Sequence, residues 1–159
     1  MTDSPLKYLN GFSFKEKSLL ISVFALLVIY GGYFVDVWSG PAQTLDAMLG
    51  TMIALLVALV AVHVIFHIVI ALDDVEEAAD ERDRAIARRA SVYGYNVLFL
   101  GTLFVLGRML IVGGWLQAGG AEAGLPVAEI ANLLLATLVL SEVVYYLAQL
   151  VFYRRGLAA

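Results

Sequence analysis

The chain has 159 residues, of which 62% are hydrophobic and 15% are charged, and its mean hydropathy is +0.88. This balance excludes an ordinary soluble protein and predicts a membrane protein with no room for a separate soluble catalytic domain. The net charge of −4 provides no basic surface for nucleic acid, and the absence of Cys excludes disulfides, thiolate metal sites and a Cys nucleophile.

Four apolar runs are long enough to cross a hydrocarbon core about 30 Å thick, which takes about 20 helical residues. They cover residues 17–37, 46–72, 91–116 and 128–153, here spans 1 to 4. Because none of the runs alternates with period two, we predict an all-α fold, a four-transmembrane-helix bundle forming one domain over residues 1–159. No small-residue cleavage site follows span 1, so we expect it to be retained rather than removed as a signal peptide.

Lys and Arg residues are distributed asymmetrically between the loops. Nine of the ten precede span 1, separate spans 2 and 3, or follow span 4. The other two loops, "DVWSGPAQTLD" and "QAGGAEAGLPVAE", contain neither residue. The positive-inside rule therefore places both termini and the charged segment 73–90 on the cytoplasmic side.

Span 2 contains two histidines, His63 and His67, whose i, i+4 spacing puts both imidazoles on one helical face. Their depth allows His63 to meet Glu142 of span 4. Three interpretations stay open: packing histidines that are neutral and hydrogen-bonded, a proton or ion relay, and a metal or haem site with His63, His67 and Glu142 as candidate metal ligands. Val64 stands where a zincin motif requires Glu.

Span 4 carries polar residues at alternating three- and four-residue spacing, which is typical of one helical stripe. We expect this stripe to face the interior of the bundle, either as interhelical hydrogen bonds or as a functional site. Its polar members are Asn132, Glu142, Tyr146, Gln149 and Tyr153. Glu142 lies nearest the bilayer centre, where an ionisable residue indicates a functional site by default.

Span 3 adds Asn96 and Arg108 to the candidate intramembrane polar site. Arg108 is expected either to extend its side chain outward to the lipid headgroups or to bridge inward to Glu142.

Small residues at helical spacing predict close helix packing on three spans. The faces are Ser18, Ser22, Ala25 and Gly32 on span 1, Gly50, Ala54, Ala58 and Ala61 on span 2, and Gly94 with Gly101 on span 3. On span 2 the small-residue face and the histidine face differ, so one is expected to pack within the protomer. The other is expected either to serve an oligomer or to pack within the same four-span bundle.

The charged segment 73–90 has acids before arginines, an order that favours a helix continuing into span 3. We expect Arg154 and Arg155 after span 4 to bind its acids and clamp spans 2, 3 and 4. A solvated linker, a cation site and a docking face for a cytoplasmic protein partner are alternatives. The predicted cytoplasmic charged cluster comprises Asp80, Glu81, Arg82, Asp83, Arg84, Arg88, Arg89, Arg154 and Arg155.

The stretches "DERDRAIARRAS" and "SEVVYYLAQLVFYRRG" resemble those of a family of small bacterial four-span inner-membrane proteins with a D-E-R-D loop and a Y-R-R-G end. The resemblance covers the chain in order and implies a multi-pass protein of the bacterial inner membrane. It implies no activity, because the family has no established biochemical function.

Three functions are therefore open. The first is an oligomeric transport or channel-like protein that carries protons or small ions past Glu142, His63 and His67. The second is a membrane protein that binds a metal or haem through the histidines, and the third is a structural or regulatory protein that docks a partner through residues 73–90. An enzyme is less favoured, because the sequence contains no recognised nucleophile motif or phosphate-binding loop.

Overall fold

Four helices make up the part of the chain that the structure describes. The computed structural model describes residues 12–40, 44–73, 80–119 and 126–156, with the side chains at 45, 66–67, 69–73 and 116–117 left out. The helices are α1 Phe14–Ser39, α2 Leu45–Asp73, α3 Glu81–Ala118 and α4 Val127–Arg155. All four are long and apolar enough to cross a membrane, and the described ranges contain no strand, so the prediction of an all-α fold is confirmed.

The longest helix is α3, with 38 residues and a length of about 57 Å. It begins directly after Asp80, so the later part of the charged segment continues into span 3 as predicted; residues 74–79 lie outside the described residues. α4 ends at Gly156, whose φ of 64° is the left-handed conformation that glycine supplies at helix C-termini. Arg154 and Arg155 occupy the last turn before it, where cations complement the helix dipole.

The four helices alternate in direction, and α1 and α4 lie between the other two. α3 packs along α4, α4 packs on α1, and α1 packs on α2, which touches α4 only slightly. Of the apolar, membrane-length part of each helix, 44% is buried in α1 and 33% in α4, against 6% in α2 and 6% in α3. The isolated chain therefore leaves most of α2 and α3 uncovered.

The core lies between α1 and α4, and α2 packs against its edge. Its buried members on α1 are Val23, Leu26, Tyr30, Tyr33 and Phe34, and on α4 they are Leu135 and Val143. Met52, Leu55 and Leu59 of α2 pack against this cluster.

Two glycines allow α3 to approach α4 closely. A Cβ at Gly94 would lie 3.1 Å from the Ser141 carbonyl oxygen, and a Cβ at Gly101 would overlap the Thr137 side chain. The predicted role of Gly94 and Gly101 in close packing is thereby confirmed.

The small-residue face of α2 has no neighbour among the described residues. Gly50, Ala54, Ala58 and Ala61 are all exposed, whereas Ser22 and Ala25 of α1 are buried. Within the protomer, α2 thus uses its His63 side for packing, and its small-residue side is the one left open.

Candidate functional site

The end of the bundle that holds the start of α1 carries a network of charged side chains. α1 begins with a capping box in which Ser13 Oγ accepts from the Glu16 amide (3.3 Å) and Glu16 Oε2 accepts from the Ser13 amide (2.8 Å). The second oxygen of Glu16 binds Arg154 Nε of α4 at 2.8 Å. The Arg154 guanidinium also lies 3.9 Å from the centre of the Phe12 ring, a cation–π contact.

α3 begins with the same device. Asp80 Oδ1 accepts from the Asp83 amide (2.7 Å), and Asp83 Oδ2 accepts from the Asp80 amide (3.1 Å). Asp83 Oδ2 also accepts from Lys15 Nζ of α1, and Asp83 Oδ1 accepts from the Tyr153 hydroxyl of α4 at 2.6 Å. The Asp83 side chain is only 15% exposed, so these bonds lie largely away from solvent.

Glu16 and Asp83, each three residues after the first residue of its capping pair, therefore cap the helix to which they belong and also bind a neighbouring helix. We call Ser13, Lys15, Glu16, Asp80, Asp83, Tyr153 and Arg154 the charged-end network. The predicted clamp is wrong for Arg154, which binds Glu16 of α1 and not an acid of segment 73–90. Asp83 instead joins α3 to α1 and α4 through Lys15 and Tyr153. The other members of the predicted cluster are exposed: Glu81, Arg82, Arg84, Arg88, Arg89 and Arg155.

His63 lies between α1 and α2. Its Nδ1 is 3.0 Å from the Leu59 carbonyl oxygen, and its Nε2 is 3.1 Å from Ser22 Oγ of α1. A carbonyl oxygen can only accept, so Nδ1 carries the proton, and Nε2 of a neutral ring accepts from the Ser22 hydroxyl. Both ring nitrogens are thus occupied, Nδ1 within α2 and Nε2 in the contact between α2 and α1, and a metal at Nε2 would have to displace Ser22.

The rest of the histidine site stays a prediction. The side chain of His67 lies outside the described residues, and the described residues contain no group of three His, Asp or Glu side chains that can hold a metal ion. The interpretation of His63 that its contacts favour is the hydrogen-bonded packing histidine.

The polar stripe of α4 divides into buried and exposed members. Asn132 accepts from the Tyr33 hydroxyl of α1 at 2.5 Å, and Gln149 is 8% exposed, so both face the interior as expected. Glu142 is exposed, which corrects the prediction that it faces the interior. Its chain neighbours Ser141 and Val143 are both buried, the first beside Gly94 of α3 and the second in the α1–α4 core, so Glu142 projects between the two packed sides.

Asn96 of α3 is also exposed. It follows Gly94 by two residues and therefore lies about 200° around the helix, on the side away from α4. The structure does not bring Asn96 into the interior polar site.

Arg108 of α3 pairs with Glu129 in the first turn of α4, and not with Glu142. Arg108 Nε and Nη2 lie 3.0 and 2.5 Å from Glu129 Oε1. The pair borders a pocket of about 430 Å³ at the end of the bundle opposite the charged-end network, with Val37, Trp38, Phe104, Asn132 and Leu133 among its walls.

Several site residues escaped the sequence analysis. "SFKE" at 13–16 fits the capping-box pattern, and this signal would have identified Glu16 as a helix-start residue. Asp83 was predicted as a member of the charged cluster, but its reciprocal bonds with Asp80 at the start of α3 were not. Ser22 was assigned only to a small-residue face. Glu129 lies at the boundary between the predicted outer loop and span 4, and no local signal indicated its pairing with Arg108.

Comparison of the chain with known proteins adds no functional information. No family model, no curated protein and no solved structure matches it. The resemblance carried by the D-E-R-D and Y-R-R-G motifs therefore stays a prediction. Any function assigned to this chain has to be argued from its own residues.

Proposed function

We propose that the chain is a multi-pass protein of a bacterial inner membrane that assembles as a homo-oligomer and carries protons or small cations past Glu142. Insertion is supported by the four membrane-length apolar helices. A cytoplasmic location of both termini is supported by the basic residues of the charged-end network and of the start of α3, because they lie at one end of the bundle and the positive-inside rule favours the cytoplasm for such an end.

The exposure of Glu142 carries the proposal. This carboxyl lies about 20 Å from either end of α4, at the depth of the bilayer centre. An ionisable group there is costly against lipid, so such groups face a protein interior or a water-filled space. Because the isolated chain does not cover Glu142, a second copy provides that cover, and the uncovered lengths of α2 and α3 supply further apolar surface for the same assembly.

A row of polar side chains connects Glu142 with the charged-end network. Tyr146, Gln149 and Tyr153 follow Glu142 at spacings of four, three and four residues, so successive members are about 4.5–6 Å apart along the helix. The Tyr153 hydroxyl donates to Asp83 at 2.6 Å. With water between its members, this row gives protons or small cations a path from the cytoplasmic end to mid-membrane.

Flux through reconstituted protein tests this function. In proteoliposomes with an internal pH dye and an imposed membrane potential, the native protein is expected to carry protons, and Glu142→Gln to lower the rate at least about tenfold, because the amide cannot bind and release a proton. Flux measured in parallel, in vesicles with imposed gradients of other cations, shows whether the protein carries a cation other than the proton.

Asp46→Asn is the matched control, because Asp46 is an exposed acid in the first turn of α2 and lies off the polar row. It is expected to keep native flux. A native rate equal to that of protein-free vesicles for every ion, or equal rates for Glu142→Gln and the native protein, would contradict the proposal.

A further inference from the structure

The ion pair between Arg108 and Glu129 leaves one guanidinium nitrogen and one carboxylate oxygen unused. Arg108 Nε and Nη2 both bind the same oxygen, Glu129 Oε1, instead of forming the two parallel bonds of a bidentate Arg–carboxylate pair. Within the described part of the chain, Glu129 Oε2 and Arg108 Nη1 therefore have no partner. The two side chains are 36% and 41% exposed, so a ligand can reach both.

The pocket beside this pair is polar at its outer edge, and below that edge its walls are apolar apart from Asn132. Phe104 lies one helical turn deeper than Arg108 on α3, and Leu133 lies one turn deeper than Glu129 on α4. Trp38, near the end of α1, forms another wall. The volume of about 430 Å³ is within the range of small-molecule sites, about 300–1,000 Å³.

We infer that this pocket binds the headgroup of a zwitterionic phospholipid that carries a primary ammonium group, namely phosphatidylethanolamine. The phosphate accepts from Arg108 Nη1, the ammonium donates to Glu129 Oε2, and the start of an acyl chain lies along Phe104 and Leu133. The inference rests on the proposed insertion into a bilayer and is independent of ion movement.

Charge complementarity selects this lipid over others. The Arg108–Glu129 pair is neutral as a whole, so an anionic headgroup would meet the Glu129 carboxylate without compensation. A choline headgroup has no N–H with which to donate to Oε2. The location also fits, because Glu129 lies in the first turn of α4 and the Trp38 wall of the pocket lies near the end of α1, the level at which the headgroups of a bilayer are expected.

Native mass spectrometry of the protein in detergent, with one synthetic lipid added at a time, tests the inference. The probes are phosphatidylethanolamine, phosphatidylcholine and phosphatidylglycerol with identical acyl chains. We expect one phosphatidylethanolamine to bind per chain, about tenfold more tightly than either of the other two lipids. One hydrogen bond to a charged group contributes a difference in affinity of about this size. Glu129→Gln is expected to remove this preference. Arg108→Gln is expected to weaken the binding of phosphatidylethanolamine about tenfold.

Two further variants separate loss of the site from loss of the fold. Ala128→Phe fills the pocket while keeping the ion pair, and is expected to lose bound lipid at an unchanged midpoint of thermal unfolding. Arg155→Gln removes an exposed cation elsewhere and is expected to bind as the native protein does. Equal binding of all three lipids, tighter binding of phosphatidylglycerol, or a preference that survives Glu129→Gln would overturn the inference. Failure of ion flux leaves these results unaffected, so the two proposals fail separately.

Discussion

Asp83→Asn is expected to lower the midpoint of thermal unfolding in detergent by about 5–10 °C, the shift that corresponds to about 2–3 kcal/mol in a chain of this size. One carboxylate of Asp83 caps α3, binds Lys15 of α1 and accepts from Tyr153 of α4. The amide keeps the shape but loses the charge, and its NH₂ group cannot accept from any of these donors. The substitution therefore weakens the contacts through which Asp83 of α3 binds α1 and α4.

The control for this prediction is Glu81→Gln. Glu81 lies in the same first turn of α3 and is exposed, so its substitution removes the same charge from the helix dipole without breaking a bond to another helix. The midpoint of thermal unfolding of Glu81→Gln is expected within about 1–2 °C of the native value, as for most exposed surface substitutions. Equal shifts for Asp83→Asn and Glu81→Gln would show that the clamp across α1, α3 and α4 contributes nothing to stability.

Gly101→Ala is expected to have the second largest effect, a loss of about 1–3 kcal/mol from overpacking. The new Cβ would overlap Thr137 Cγ2 and lie 2.8 Å from Oγ1 and 3.0 Å from Cβ, so no rotamer of Thr137 relieves the contact. The helices α3 and α4 must separate, which loosens the contact beside Gly94 as well. The measurement is again the midpoint of thermal unfolding.

Two variants check the cause of this loss. Gly107→Ala makes the same change in the same helix where a Cβ meets nothing within 4 Å, and it is expected to leave the midpoint unchanged or raise it. Thr137→Ala removes Cγ2 and Oγ1, the two nearest of the crowding atoms, and is expected to restore part of the stability of Gly101→Ala in the double variant. A double variant no more stable than Gly101→Ala alone would refute the steric explanation.

The helices and their packing glycines follow from local sequence. Apolar runs of membrane length predicted each of the four helices, and the order of acids before arginines in segment 73–90 predicted that a charged helix continues into span 3 as α3. The spacing of Gly94 and Gly101 predicted the close contact with α4. These features depend on the residues of one helix alone, which is why sequence periodicity detects them.

The pairings between side chains of different helices cannot be predicted from the sequence of one helix alone. A stripe at three- and four-residue spacing covers a broad arc, and α4 buries two sides, one against α1 and one against α3, so Glu142 on that stripe emerges between them. The partner of Arg108 depends on the vertical register of α3 against α4, which brings it level with Glu129 instead of Glu142. Ser22 as the partner of His63 likewise depends on how α2 lies on α1.

The charged-end network is predictable from the sequence only in part. The capping-box pattern at Ser13–Glu16 is local and readable from the sequence, whereas the reciprocal bonds between Asp80 and Asp83 do not follow from that pattern. The second use of Glu16 and Asp83, in which Glu16 binds Arg154 and Asp83 binds Tyr153, requires that α1 and α3 both begin at the level where α4 ends.

Cross-linking between copies tests the central claim, that a second copy covers the Glu142 face, most directly. The native chain contains no Cys, so single-Cys variants report one position each. Leu138 lies one turn from Glu142 on the same side of α4, whereas Leu140 lies at similar depth about 160° away, and the two are 49% and 55% exposed. Under oxidation in membranes, Leu138→Cys is expected to form a disulfide-linked dimer and Leu140→Cys to stay monomeric. Equal cross-linking of the two variants, or none at Leu138→Cys, would contradict the account.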